Sequence, residues 1–332
     1  MPEGNEVHRW AERHTAAFAG RKMHVEGPTG RFQEADLLEG RKLEEVVAVG
    51  KHLGYRFGKD RILHVHLGRF GDWTEGRMPY PEVKGALRLR MWRMGVRTPK
   101  SAEAVSHKMR RGWYSSGDDA DTLPPEQVEW AELRGPTDCS VYTEAKWQSL
   151  LERIGPDPLG ADSKGHDDPE QYIAAVLGRK TTIAELLMDQ EVLSGVGNIY
   201  RAEILFRHRI NPFTPGDAMD AKVLRAMWKD LVPLMKAGMV DRRIVCTKRV
   251  DRPSKQDPAP KGETHYVYRR HGKPCFVCGE KVLHRDLAGR TLYWCPKDQG
   301  TTAAENNTAF AHGLSLRAAR AAEKAKRAGL LT

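Results

Sequence analysis

The chain has 332 residues, 40% of them hydrophobic, which is enough for two or three domains with buried cores and excludes global disorder. Its 54 lysines and arginines outnumber its 44 acidic residues, giving a formal net charge of +10. Such an excess favours a polyanionic partner, although charge alone does not identify one. Because no apolar run approaches the roughly 20 residues of a membrane span, and the N-terminus lacks a signal-peptide pattern, we expect a cytoplasmic protein without membrane contact.

The first half of the chain predicts one helix followed by short strands. Apolar side chains recur at helical spacing through residues 4–19, and Gly20 is a natural stop. Alternating patterns beyond it are typical of strands, and this order indicates an α+β domain built on a sandwich or barrel. The strand segments are 43–49, 62–67, 87–92 and 140–142.

The second half has a different composition after a proline-rich hinge at 155–158. Residues 169–243 carry three apolar stripes at helical spacing, with a glycine-rich turn at 194–198 between the first two. Pro233 interrupts the third stripe and predicts a kink or an early end of that helix. Residues 247–263 are rich in Lys, Arg, Pro and Asp and predict an exposed loop.

The N-terminus carries a candidate nucleophile. Removal of Met1 would leave Pro2 as a terminal secondary amine, and an α-amino group with a pKa of about 7.7–8.0 is partly unprotonated near neutrality. Such an amine can attack the anomeric carbon of a sugar and form an iminium ion, while Glu3 supplies a general acid and base. A proline at position 2 is common, however, and alone indicates little.

Two further motifs suit an anionic partner. Lys51 follows a predicted strand, although on this evidence alone a solvated lysine is the better explanation. In Gly195-Val196-Gly197-Asn198, glycines permit close approach of a partner, and the next helix directs its N-terminal N–H groups at an anion. An ordinary connection between helices is the alternative.

Three of the five cysteines lie close together near the C-terminus, which argues for a metal site and not a disulfide framework. With an aspartate they have the spacing of a closed, structural tetrahedral zinc site on a hairpin. His271 or His284 could replace the aspartate, or the hairpin could be held by packing without metal. The expected ligands are Cys275, Cys278, Cys295 and Asp298.

Five motifs occur together in the order of one known family. They are Pro2-Glu3-Gly4, Lys51, Ile154-Gly155-Pro156-Asp157-Pro158-Leu159, Met188-Asp189-Gln190 with Gly195 to Tyr200, and Gly289-Arg290-Thr291 with Cys295-Pro296. Together they resemble the Fpg/Nei family, formamidopyrimidine-DNA glycosylase and endonuclease VIII, over nearly the whole chain. The stretches at 50–53, 64–68 and 266–270 are most similar to its actinobacterial-type Nei proteins.

The resemblance implies an α+β fold in which an N-terminal helix and a β-sandwich precede a helix–two turns–helix domain and a zinc-finger-like hairpin. The implied parts are a catalytic sandwich at 1–152, the helical DNA-binding domain at 153–246, the hairpin at 264–300 and a basic tail at 301–332. We expect the tail, which has a helical composition from Leu314 to Gly329, to add nonspecific DNA affinity.

The same resemblance implies a monomeric, nucleoid-associated base-excision-repair enzyme that acts on damaged DNA. Pro2 would be the nucleophile at the sugar C1′ and Glu3 its acid and base, with glycosidic cleavage followed by β,δ-elimination. The resemblance also implies catalytic roles for Lys51 and Arg290, which together with Asn198 would contact phosphates. Arg69 and Phe70 would insert into the stack, although they also fit a simple turn.

Three alternatives stay open. The scaffold could belong to a noncatalytic damaged-DNA-binding protein, although such a protein has no need of the terminal amine. A zinc-ribbon transcription or RNA-binding factor would explain the hairpin only. The lesion could be an oxidised pyrimidine, which the Nei-like features favour, or an oxidised purine, which Fpg-type enzymes prefer. Asp298 stands where the family has a fourth cysteine, so the expected ligand set departs from the family pattern at that position.

Overall fold

The computed structural model describes residues 2–83, 85–96, 123–160 and 168–306. The backbone divides into two compact units, Met1–Asp167 with Gly238–Arg243 and Asp168–Ala237 with Ile244–Thr332. The predicted α+β class is confirmed, because a helix and two sheets precede a set of helices and a β-hairpin. The helix expected within 314–329 lies outside the described residues. Among the described helices, none has both the length and the apolar character needed to cross a bilayer.

The first helix, α1 (Gly4–Phe18), forms where the sequence predicts it. Its apolar residues at helical spacing, among them Val7, Trp10 and Phe18, are buried in the core of the first unit. The hydroxyl of Thr15 donates to the carbonyl of Val46 and accepts from its amide, both at 3.0 Å, and so bonds the helix directly to a strand.

Two four-stranded antiparallel sheets build the rest of the first unit. Their strand orders are β1-β6-β7-β5 and β2-β3-β4-β8. Side chains from both sheets, such as Met91 of the first and Leu53 and Val65 of the second, lie in one buried cluster with α1, as in a sandwich. The strands are β1 (Met23–Glu26), β2 (Glu45–Val49), β3 (His52–Arg56), β4 (Ile62–His66), β5 (Asp72–Gly76), β6 (Leu87–Arg93), β7 (Trp130–Arg134) and β8 (Asp138–Tyr142).

A second helix, α2 (Glu144–Leu151), covers the other face of the second sheet. The indole of its Trp147 packs so closely on Gly54 that an added Cβ would lie 2.8 Å from it. Ile62 and Val49 complete this small cluster. The glycine therefore permits helix and strand to pack at that spacing.

The second unit contains helices and the hairpin of β9 (Leu283–Leu287) and β10 (Arg290–Trp294). The early end expected at Pro233 does not occur, because the helix that contains it continues to Val240, while the alternative of a kink stays a prediction. Pro233 lies on the exposed face, while Leu231 and Met235 on either side of it are fully buried, and this burial offsets the lost backbone hydrogen bond. The helices are α3 (Pro169–Leu177), α4 (Ile183–Leu186), α5 (Asn198–Arg207) and α6 (Ala221–Val240).

A single buried carboxylate, that of Asp157, holds three segments of the first unit together. It is 0% exposed. Its Oδ2 accepts from the Gly50 amide at 2.6 Å and lies 2.7 Å from Nε2 of His8 on α1, while Oδ1 accepts from the Leu159 amide at 2.9 Å. The residue thereby fastens helix α1 to the turn between β2 and β3.

We predict that Asp157→Ala lowers the free energy of unfolding by about 2–4 kcal/mol, because two buried N–H groups and a buried imidazole lose their partner. Urea unfolding measures the loss, and hydrogen exchange should show faster exchange of the amides of α1. Asp36→Ala, at an exposed aspartate, is the control and should change stability by less than about 0.5 kcal/mol. Equal stability of the two variants would contradict the role given to Asp157.

Candidate active site and metal centre

The N-terminal residues lie at the start of α1. Glu3 is the N-cap residue of the helix and is 1% exposed, and Pro2 precedes it. The carbonyl of Glu3 accepts from the amides of Glu6 and Val7 at 3.0 and 3.3 Å, so the first turn is closed onto it. The position of the terminal segment is therefore set by α1.

Lys51 lies in the tight turn between β2 and β3 and is partly buried. The preceding Gly50 has φ +59°, a left-handed conformation that glycine adopts without strain, and its amide is the one that Asp157 binds. Because Asp157 also binds His8 of α1, the segment that starts with Pro2 and the turn that carries Lys51 are bonded to the same carboxylate.

A chain of hydrogen bonds starts next to Lys51. Nδ1 of His52 lies 2.9 Å from Nε2 of His64, whose Nδ1 lies 2.7 Å from Oδ2 of Asp138. A carboxylate accepts from the His64 Nδ1–H, so Nε2 of the neutral ring accepts from His52, and Nε2 of His52 is left with a lone pair. The chain thus fixes His52 as a hydrogen-bond acceptor on that nitrogen.

No sequence motif assigns a role of its own to Asp157, His8 or Asp138. Asp157 and His64 occur only as parts of the family motifs, and their partners lie far away along the chain. One sequence signal does indicate a cluster of histidines. His64 and His66 are two residues apart on a strand and therefore lie on the same face of the sheet.

Arg69 and Phe70 lie in the turn between β4 and β5, and both are exposed. Phe70 is 63% exposed, and the Arg69 guanidinium carbon is 5.6 Å from the centre of its ring. The turn is tight, since the Gly71 amide donates to the Leu67 carbonyl at 2.8 Å. An apolar ring held outward in this way is suited to insertion into a partner, so the wedge stays a prediction.

In the second unit the glycine-rich turn leads into α5. Gly195 has φ +82°, and Gly197 is the N-cap residue of the helix. The Gln190 side chain shapes the turn by accepting from the Gly195 amide at 3.1 Å and donating to the Val196 carbonyl at 3.0 Å. These bonds fix the turn that precedes the first turn of α5, where the positive end of the helix dipole lies.

Within the second unit, Asn198 is bonded to the strand that begins with Arg290. The Asn198 amide donates to the carbonyl of Thr291 at 3.0 Å, and Thr291 follows Arg290 directly at the start of β10. Arg201 donates to the same carbonyl at 3.2 Å and also to Oδ1 of Asn198. The start of α5 is therefore bonded to the hairpin that carries the exposed Arg290.

The four expected metal ligands form a cluster. Their ligand atoms all lie within 4.8 Å of one another. Oδ2 of Asp298 is 3.0 Å from Sγ of Cys275 and 3.5 Å from Sγ of Cys295, and Sγ of Cys278 is 3.4 Å from Sγ of Cys295. Since zinc–sulfur bonds of about 2.3 Å separate tetrahedral ligands by about 3.7 Å, this set fits a zinc-sized ion. The alternative ligands His271 and His284 are not in the cluster.

The histidine chain predicts a pH-dependent stability. Burial and then repulsion from neighbouring histidines and Lys51 lower the pKa of His52 from 6.5 to about 3. Below pH 6.5 the unfolded chain therefore binds a proton at this position that the folded chain does not bind. The free energy of unfolding consequently decreases as the pH is lowered.

We expect His52→Gln to reduce this fall by up to about 2 kcal/mol between pH 7 and pH 5, as measured by urea unfolding at each pH. Parallel profiles for the variant and the unmodified protein would show that His52 does not contribute.

Comparison with known proteins identifies the family. The model for the formamidopyrimidine-DNA glycosylase N-terminal domain matches residues 1–114, and that for the H2TH domain matches residues 154–248. Endonuclease 8 1 of Mycobacterium tuberculosis is 36% identical over 301 residues, which are 89% of this chain and 98% of the relative. Formamidopyrimidine-DNA glycosylase of Thermus thermophilus is 28% identical over 302 residues, 90% of this chain and 99% of the relative.

Solved structures agree in fold. Lactococcus lactis Fpg in complex with DNA containing an abasic site aligns with a TM-score of 0.64 at 18% identity, over 90% of this chain and 99% of that one. Since both domain models match in order and the mycobacterial relative aligns over almost its full length, the chain belongs to the formamidopyrimidine-DNA glycosylase/endonuclease VIII family.

Proposed function

We propose that the protein is a bifunctional DNA glycosylase and abasic-site lyase that uses Pro2 as its nucleophile. The observation that carries the proposal is the Pro-Glu start placed directly ahead of α1, in a member of this family. The substrate is damaged DNA, and the enzyme acts as a monomer on the chromosomal DNA of the cytoplasm. The basic net charge of +10 suits such a polyanionic substrate.

The chemistry follows from a terminal secondary amine. The lone pair of the Pro2 nitrogen attacks C1′ of the damaged nucleotide, the glycosidic bond breaks, and the base leaves with the bonding electrons and a proton. Glu3 donates a proton as the sugar ring opens, which leaves an iminium ion between Pro2 and the open sugar. Loss of a proton from C2′ then expels the 3′ phosphate, and a second elimination expels the 5′ phosphate.

The remaining site residues hold the substrate. Lys51, Asn198 and Arg290 contact phosphates of the damaged DNA. Arg69 and Phe70 fill the space that the flipped base leaves. Flipping costs a few kcal/mol, least for a damaged or mispaired base, and this difference contributes to selectivity. In this proposal the domain at 1–152 carries the chemistry, while those at 153–246 and 264–300 grip the DNA.

The cysteine cluster holds a structural zinc ion. Three thiolates and a carboxylate are ligands that zinc accepts, and a closed set of four leaves no open position for substrate. Cys275 and Cys278 precede β9, while Cys295 and Asp298 follow β10. An ion bound by all four therefore closes the base of the hairpin and stiffens the strand that begins with Arg290.

Extra residues ahead of Pro2 should abolish covalent trapping. An added Gly-Ser dipeptide converts the terminal amine into an amide without a nucleophilic lone pair, so borohydride should no longer link the protein to lesion-containing DNA. The same dipeptide at the C-terminus is the matched control and should leave trapping intact. Lesion binding measured by fluorescence anisotropy should be similar for both proteins.

Undiminished trapping by the N-terminally extended protein would contradict the proposed nucleophile. If the unmodified protein binds lesion DNA but neither nicks it nor forms an adduct, the alternative of a noncatalytic damaged-DNA-binding protein is correct.

The lesion class is proposed to be oxidised pyrimidines, as the Nei-like motifs indicate. Duplexes and single strands carrying one thymine glycol, dihydrouracil, 5-hydroxyuracil or 8-oxoguanine separate the possibilities. We expect kcat/KM to be at least roughly tenfold higher for the pyrimidine lesions. A preference for 8-oxoguanine would instead support an Fpg-like enzyme for oxidised purines, leaving the Pro2 mechanism intact.

A further inference from the structure

We propose that Arg209 is a positioning residue for the metal centre, because it holds the Asp298 carboxylate so that only one oxygen faces the metal. The inference rests on the proposed metal site and concerns a residue outside the four ligands. Arg209 pairs with Asp298, the carboxylate that stands in place of a fourth cysteine in this chain.

The two oxygens of Asp298 face different partners. Oδ2 points at the sulfur atoms, 3.0 Å from that of Cys275 and 3.5 Å from that of Cys295. Oδ1 forms an ion pair with Nη1 of Arg209. With Oδ1 engaged in this way, Asp298 presents a single oxygen to the cluster, as a tetrahedral site requires of each ligand.

The backbone around Arg209 is bonded to the same loop. Nε2 of Gln299 donates to the Ile210 carbonyl at 2.9 Å, and Oε1 of Gln299 accepts from the Cys295 amide at 2.9 Å. Arg209 itself has φ +57°, and its amide donates to the Phe206 carbonyl at 3.0 Å. A non-glycine residue in this conformation is uncommon and persists where surrounding contacts hold it.

The charge of the centre gives Arg209 a second effect. Three thiolates and one carboxylate around a dication leave a net charge of −2, and the guanidinium reduces it to −1. A cation beside a centre with a net negative charge stabilises it electrostatically. Hydrogen-bonding partners of ligands commonly change metal affinity by about 10–100-fold. The rival explanation is an ordinary surface ion pair, since the Arg209 side chain is 44% exposed.

The test compares full-length proteins loaded with zinc or with cobalt(II). In Arg209→Met the Asp298 carboxylate can rotate and offer both oxygens, so zinc should be lost to a chelator about 10–100-fold faster. The cobalt d–d bands should also shift and weaken as coordination departs from tetrahedral. Arg225→Met is the matched control, because Arg225 pairs with Glu170 on the surface of the same unit and should leave both readouts unchanged.

A second background keeps the test decisive if the fold is weakened. Asp298→Cys should bind zinc through four thiolates, and there the added Arg209→Met substitution should change zinc release by less than about threefold. Arg209→Lys keeps the charge but not the planar fork. Its rate of zinc release should therefore lie between those of the unmodified protein and Arg209→Met. Circular dichroism of each protein confirms that the fold is retained.

Equal release from the Arg209 and Arg225 variants would overturn the proposal and leave a surface ion pair. An equal effect of Arg209→Met in both backgrounds would overturn it too, since the arginine would then act on the fold and not through Asp298. If the unmodified protein bound neither metal, the metal site would be wrong. Pro2 trapping would still test the glycosylase proposal, because metal release does not depend on catalysis.

Discussion

A carboxylate with no exposure to solvent, Asp157, is the constraint on which the arrangement of the first unit depends. Burying an ionised group is costly unless hydrogen bonds replace its water, and here two backbone amides and an imidazole do so. Each of these donors comes from a different segment. The same bonds that satisfy the charge therefore fix α1, with Pro2 ahead of it, relative to the turn that carries Lys51.

The second unit uses a comparable device. Glu203 of α5 is 0% exposed, and its carboxylate accepts from the consecutive amides of Tyr266, Val267 and Tyr268 at 2.7–2.9 Å. This attaches α5 to the segment that enters the cysteine hairpin. Asn198 at one end of α5 and Arg209 just beyond the other bond to the same hairpin region. Helix α5 is thus bonded at both of its ends and in its middle to the hairpin and to the segment that leads into it. This attachment suits two elements that are proposed to grip one DNA backbone.

Much of the fold could be predicted because it rests on local patterns. The helical spacing that begins at Gly4 and the alternation around Ile62 and Leu87 give α1, β4 and β6 within a few residues. An early end at Pro233 does not occur, because the buried Leu231 and Met235 beside it offset the local cost of a proline. The order of the strands in each sheet had no local signal.

The candidate site likewise has some residues that a local motif predicts and others that it does not. Pro2, Lys51 and the metal ligands could be named from motifs, since chemistry demands those residue types at those spacings. Asp138 and Arg209 could not, because their significance comes from partners 74 and 89 residues away along the chain, His64 and Asp298 respectively. Residues that orient others become visible only when the fold brings their partners to them.

The proposed mechanism requires the imino nitrogen of Pro2 to become covalently joined to the damaged sugar. Peptide mapping of the borohydride-reduced protein–DNA adduct tests it most directly, after nuclease and trypsin digestion and mass spectrometry. We expect the sugar remnant on the peptide Pro2–Arg9, attached at its first residue. A remnant on a lysine peptide, such as the one containing Lys51, with an unmodified Pro2–Arg9 peptide would contradict it.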